Sequence, residues 1–194
     1  NYGWTVDRLR SLITPLGSKP VWAFVEVGHP ATENYAPTIT GPQARAAVWS
    51  SIIHGARGIV YFNHSFGGCY SQHVLRDPCG DDVRPWIAET NSQIRALAPV
   101  LNAPFVENAV ITAGQADVAV KTYNGDLYII AGSTTEQKQQ VSFTLSCGKG
   151  SAVRVLGENR SLTVAGARFE DSFDDGNSVH IYHVDVGDSC GLSH

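Results

Sequence analysis

Glu26 is the residue whose position most invites a chemical role. It closes KPVWAFVEVGHP, residues 19–30, an almost unbroken apolar run that ends at Gly28 and Pro30. An ionised carboxylate among such neighbours costs several kcal/mol unless it is paired or put to use. In use, it could attack an electrophilic carbon or take a proton. The structural alternative is an ion pair with an arginine. His29 follows three residues later. A second apolar run, GIVYF at 58–62, ends in Phe62 and is followed by Asn63 and His64. Imidazole and amide groups there could hydrogen-bond a hydroxyl-rich ligand or tune Glu26. Equally, Asn63 could cap a loop and His64 could satisfy a backbone group.

Cys69, Cys79, Cys147 and Cys190 are the other reactive residues, and four cysteines allow three pairings. Cys69 and Cys79 bracket the short polar stretch GGCYSQHVLRDPCGDD, while Cys190 lies in the tail, where a bridge would staple the C-terminus. A metal site would draw on Cys69, Cys79 and His64 or His73. That loop lacks the tight Cys-x-x-Cys or His-x-x-x-His spacing of zinc ligands, and the seven histidines show none elsewhere. Disulfides are therefore expected, no metal or cofactor is, and the compartment implied is oxidising, hence extracellular after secretion. Asn63-His-Ser and Asn159-Arg-Ser are glycosylation triplets compatible with that route. No phosphate-cradling glycine loop, nucleophile elbow or dinucleotide fingerprint occurs.

These residues must be placed by secondary structure. A short helix is expected over 4–12, ended by Pro15 and Gly17. Trp22, Phe24 and Glu26 fall on one face of the first strand and Val21, Ala23 and Val25 on the other, and apolar residues on both faces predict a strand buried on both sides. In ITGPQARAAVWSSIIHGARG, Thr40 and Gln43 form a capping box, Pro42 suits the first turn and Gly55 supplies the stop. GIVYF then follows as a second strand, so the segment reads as a βαβ unit with parallel strands. Active sites of parallel α/β sheets lie at the C-terminal strand ends, where Glu26 falls. A further helix is expected after Asp81 or Asp82, with Pro85 near its start and a stripe of Trp86, Ile87, Ile94, Leu97 and Leu101. Pro99 and Pro104 mark its end. Trp22 and Phe24 are expected in the core, and Trp49 and Trp86 are expected to pack from their helices.

From about Phe105 the pattern changes to short alternating runs at 109–113, 117–123, 126–132, 140–145, 152–157, 168–173 and 179–184. Asn124-Gly125 between two of them is a strong type I′ hairpin signal. Seven short strands at this spacing predict an antiparallel sandwich. The fold class is therefore α/β followed by all-β, with residues 1–104 and 105–194 as separate domains.

Composition narrows the partners. Of 194 residues, 43% are hydrophobic and 16% charged, which excludes disorder. Fourteen basic residues face 18 acidic ones and form no basic run, so no nucleic-acid partner is expected. No apolar stretch reaches the roughly 18 residues of a membrane helix, and no membrane partner is expected. The chain lacks Met and begins with Asn1, and is read as a fragment or processed product.

KPVWAFVEVG, a helix, and GARGIVYFNHSF together resemble strands seven and eight of the retaining glycoside hydrolases of clan A, which are (β/α)8 barrels. The NSQIRALAPVLN segment resembles the last barrel helix, and VLGENR with FEDSF and VHIYHV resembles the small β-sandwich that often follows. The resemblance implies a TIM-barrel C-terminal portion plus sandwich, with Glu26 as the nucleophile and Phe62 as the aromatic residue flooring the sugar subsite. That aromatic is more often Trp in the clan. His29, Asn63 and His64 would lie nearby as substrate-binding residues. An oligo- or polysaccharide, or another glycoside, would be the substrate. The acid/base Glu, which the clan carries after strand four, would come from the N-terminal remainder of the barrel, absent from this chain. Glu33, Asp77, Asp81 and Asp82 have no strand-end placement and read as solvated loop charges or caps. The alternative function is a non-catalytic carbohydrate-binding or structural piece.

Overall fold

The computed structural model describes residues 2–31, 37–147 and 152–186. It is a mixture of helix and antiparallel sheet with one small parallel pair, and divides into two compact units, Asn1–Ser92 and Gln93–His194.

The first unit holds helix α1 (Tyr2–Ser11), strand β1 (Trp22–Glu26), helix α2 (Gly41–Ile53), strand β2 (Gly58–Phe62) and most of helix α3 (Arg84–Ala96). The expected βαβ unit is present: β1 and β2 pair in parallel, from Trp22 opposite Gly58 to Glu26 opposite Phe62. The capping box forms, with Thr40 Oγ1 accepting from the Gln43 amide and Gln43 Oε1 accepting from the Thr40 amide. Gly55 ends α2 at φ +95°, a conformation open chiefly to glycine. Ala44, Ala47, Val48, Trp49 and Ile53 of α2 are buried. Helix α1 packs closely on α2: the Gly3 amide donates to Ser50 Oγ, Arg10 donates to the His54 carbonyl, and His54 pairs with Asp7. A side chain at Gly3 would collide with the His54 ring.

Two expectations for this unit need correction. Trp22 and Phe24 are 59% and 64% exposed, whereas Val21, Ala23 and Val25 are buried. Strand β1 is thus buried on one face only, because a sheet of two strands has helices on one side and an open side opposite. The long helix expected beyond Asp82 is also broken, into α3 and a short α4 (Ala98–Asn102). Pro99 lacks the amide hydrogen that would continue the ladder, and its ring crowds the preceding turn. Trp86 is 38% exposed, with its ring set against Gly41.

In the second unit, strands β3 (Val110–Ala113), β6 (Gln139–Leu145) and β9 (Arg168–Phe173) form one antiparallel sheet. The other has the order β4 (Ala116–Tyr123), β5 (Asp126–Ser133), β10 (Val179–Val184), β7 (Ala152–Val155) and β8 (Arg160–Thr163). All seven expected strands occur. The eighth, β8, is a four-residue edge strand whose sequence, Arg-Ser-Leu-Thr, holds only one large apolar residue, Leu162. Asn124 and Gly125 turn the β4–β5 hairpin with φ of +52° and +83°, as a type I′ turn requires. The two sheets share one apolar core in which Phe143 and Phe169 stack and Tyr182 meets both at a steep angle, at centroid distances of 5.0–5.2 Å. Burying a large apolar side chain so fully contributes about 1.5–3 kcal/mol.

Two polar clusters are buried or half-buried here with partners. The Lys121 ammonium donates to the Ala103 carbonyl at 2.7 Å and lies 3.5 Å from the Phe105 ring centroid, which ties the segment after α4 to β4. The Arg160 guanidinium grips both oxygens of Asp171 and also reaches Glu158, while Tyr182 donates to Asp171 and His180 meets Glu158. Burial works to raise both carboxyls, but hydrogen bonds and charge from Arg160 and His180 outweigh it and hold both below the usual carboxylate range. Burial, reinforced by Asp171, pushes the Tyr182 hydroxyl upward.

Candidate active site

The C-terminal ends of β1 and β2 bring Glu26 and Phe62 side by side. Register partners in a parallel pair point to the same side, so both face the open side of the sheet with Trp22 and Phe24. Glu26 is half-buried and Phe62 is 44% exposed. Gly58 makes room at the other end of this face, since a Cβ there would strike the Trp22 ring. Among the described residues Glu26 forms no ion pair; its partner is the hydroxyl of Tyr2, from the first turn of α1, which donates to Oε2. The sequence offered no signal for Tyr2, because 24 residues separate the two and only the packing of α1 brings them together.

The loop after β2 is heavily cross-braced. Cys69 and Cys79 form a disulfide with Cα atoms 5.5 Å apart. Ser65 and Ser71 bridge through their backbones, and the Ser71 hydroxyl donates to Asp77 at 2.7 Å. Arg84 donates to the carbonyls of Leu75 and Asp77 and to the Asp81 carboxylate. The Ser71 hydroxyl, then Arg76, hold the Asp77 carboxyl below its ordinary range. Asp77 and Asp81 are thus engaged in shaping the loop, Asp82 is an exposed residue just before α3, and Glu33 lies outside the described residues. Cys147 is also disulfide-bonded, and Cys190 lies outside the described residues.

The remaining expected site residues divide into two groups. His29 is only 4% exposed. Its amide donates to Ser65 Oγ, its carbonyl accepts from the Phe66 amide, and Nδ1 lies 2.8 Å from Thr38 Oγ1. It therefore fastens the loop to the end of β1. Gly67 passes so close that a Cβ would meet the His29 ring at 2.8 Å. Asn63 serves the same end, its Oδ1 accepting from the Leu75 amide at 2.7 Å. Asn159, of the other glycosylation triplet, is exposed in the turn between β7 and β8.

His64 belongs with the aromatics. Its ring lies 6.4 Å from Phe62, 4.3 Å from Phe66 and 5.6 Å from Tyr70. Phe66 and Tyr70 are 41% and 63% exposed. Neither stood out in the sequence, where isolated aromatics in a polar loop carry no periodicity. Among the described residues, no group of three or more His, Cys, Asp or Glu is placed to hold a metal ion, and no helix is long and apolar enough to cross a membrane.

The fold has counterparts among solved structures. An Anoxybacillus alpha-amylase, described as representing a new glycosyl hydrolase subclass, superposes with a TM-score of 0.60 at 12% identity, over 95% of this chain and 41% of that one. The chain resembles part of a glycoside hydrolase. The alpha-amylase of Geobacillus thermoleovorans, solved with acarbose, gives 0.63 at 13% identity, over 93% and 42%. A noncanonic maltogenic alpha-amylase of Thermotoga neapolitana gives 0.58 at 6%, over 93% and 45%. At such identities the likeness is one of fold. This chain spans about two fifths of the length of the structures it matches. No protein-family model matches the sequence, and no curated protein does.

Proposed function

We propose that the chain is the nucleophile-bearing part of a secreted retaining glycoside hydrolase, with residues 1–104 as the end of a (β/α)8 barrel and 105–194 as an accessory β-sandwich. The observation that carries this reading is the half-buried Glu26 at the C-terminal end of a parallel strand, in register with exposed Phe62. On this reading β1 and β2 are strands seven and eight, and the open face with Trp22 and Phe24 is the side that further barrel strands cover. The Cys69–Cys79 disulfide supports an oxidising compartment. The carbohydrate-bound state of a structural neighbour supports a glycoside as substrate.

The Tyr2 hydroxyl holds Oε2 of Glu26, leaving Oε1 to attack the anomeric carbon. As that C–O bond forms, the glycosidic C–O bond breaks, and the departing oxygen takes a proton from an acid supplied by the rest of the barrel. The product is a glycosyl ester on Glu26. Water, deprotonated by the same acid/base group, then attacks the anomeric carbon and releases the carboxylate, with net retention. Phe62 offers an apolar floor to the sugar.

Labelling of the full-length protein with a 2-deoxy-2-fluoro glycoside traps such an ester, and peptide mapping is expected to find it on Glu26. A label on another carboxylate overturns the assignment. Tyr2→Phe removes one hydrogen bond to a charged group, worth about 1.5–3 kcal/mol. It is expected to lower the melting temperature by several degrees and, because Glu26 loses its orienting partner, to lower kcat by about tenfold or more, read from steady-state rates beside a thermal melt.

A further inference from the structure

The rings of the disulfide loop lie next to this site, and their disposition bears on the size of the substrate. Phe66 lies 5.9 Å from Phe62, centroid to centroid, with the ring planes only 23° apart. Phe62 shares its face with Glu26. The aromatic surface therefore continues outward from the carboxylate, through Phe66 and His64, to Tyr70, whose ring stands edge-on to His64 at 89°.

Trp22 and Phe24 lie on the sheet face that, on the reading above, further barrel strands cover; Phe66 and Tyr70 lie instead on the loop beyond the end of β2 and are exposed there on a firmly fixed backbone. Disulfide Cys69–Cys79, the Ser65–Ser71 bridge, the hydrogen bond from the Phe66 amide to the His29 carbonyl and the Arg84 contacts hold the rings' backbone in place. A ligand that lands on them therefore pays little for ordering the loop. The surroundings are polar at the rim: the Tyr70 hydroxyl lies 3.4 Å from Gln72 Nε2, and both residues are exposed. Apolar faces edged by hydroxyl, amide and imidazole groups match a pyranose, whose C–H face is apolar and whose edge is a ring of hydroxyls.

We propose that Phe66 and Tyr70, with His64 between them, form a second sugar-binding subsite, so that the substrate is a chain of at least two sugars that runs from Glu26 across the disulfide loop. This inference rests on Glu26 marking the point of cleavage, as proposed above.

The test uses the full-length protein in a Glu26→Gln background, where bound chains stay intact. Isothermal titration is carried out with malto-, cello- and xylo-oligosaccharides of one to four sugars. Affinity is expected to rise with the second sugar in at least one series. Phe66→Ala and Tyr70→Ala are each expected to weaken the longer chains by about tenfold while leaving the single sugar unchanged. Tyr70→Phe, which keeps the ring and the fold, is expected to retain most of the gain. Affinity independent of chain length, binding by none of the three series, or alanine variants that bind longer chains as tightly as before would each overturn the proposal. Turnover surviving in Glu26→Gln would instead remove the nucleophile assignment and leave the binding result standing. Loss of turnover with unchanged chain-length dependence in the loop variants would remove only the subsite.

Discussion

Glu26→Gln in the full-length protein is expected to lower kcat/KM by about 10⁴-fold or more, because the amide cannot form the covalent intermediate. The substitution is nearly isosteric, and the amide oxygen can still accept from Tyr2. Melting temperature is therefore expected to stay within a few degrees of the parent. Steady-state rates on an activated glycoside, measured beside a thermal melt, separate the two effects. Activity within tenfold of the parent would mean that Glu26 is not the attacking group.

Arg160→Ala is the substitution expected to cost most in stability. It leaves Asp171, whose side chain is only 6% exposed, without its bidentate partner, and strips Glu158 of a hydrogen bond as well. Removing one member of a buried pair costs roughly 3–5 kcal/mol; Arg160 is one-third exposed, so about 3 kcal/mol is expected. For a unit of this size that lowers the melting temperature by more than about 10 °C. The same network sets a pH dependence. Asp171 and Glu158 are held below their ordinary range in the folded state. Their contribution is therefore complete above the unfolded carboxylate values, near pH 4, and is lost as pH falls through the lower folded values. Calorimetric scans from pH 7 to pH 3 are expected to show a steep loss of stability at the acid end in the parent and a shallower one in Arg160→Ala. An unchanged slope would show that the network does not carry the acid sensitivity.

Local rules account for how much of this molecule was legible in the sequence. The capping box at Thr40, the stop at Gly55 and the Asn124-Gly125 hairpin depend on contacts within a few residues, and the seven expected strands announce themselves by alternation along each segment although most pair with distant partners; all form as expected. Glu26 was legible for the same reason: a carboxylate ending an apolar strand is anomalous by itself. Strand β8 was not legible, since its four residues, Arg-Ser-Leu-Thr, hold a single large apolar side chain, whereas the equally short β3 is Val-Ile-Thr-Ala. The exposure of Trp22 and Phe24 was missed because apolar residues on both faces of a strand say nothing about how many neighbours the strand has in this chain.

The sequence by itself determined the local elements, the parallel order of the first two strands and the identity of the unusual carboxylate, because hydrophobic period, caps and turn chemistry act over short range. Tertiary structure alone decided that Tyr2 reaches Glu26, that His29 and Asn63 brace the loop while His64 joins an aromatic cluster, and that Phe66 and Tyr70 extend the surface beside Phe62. Those relations depend on the packing of α1 and on the path of a cross-linked loop, where neighbours in space are distant or irregularly spaced in the chain and no periodicity announces them.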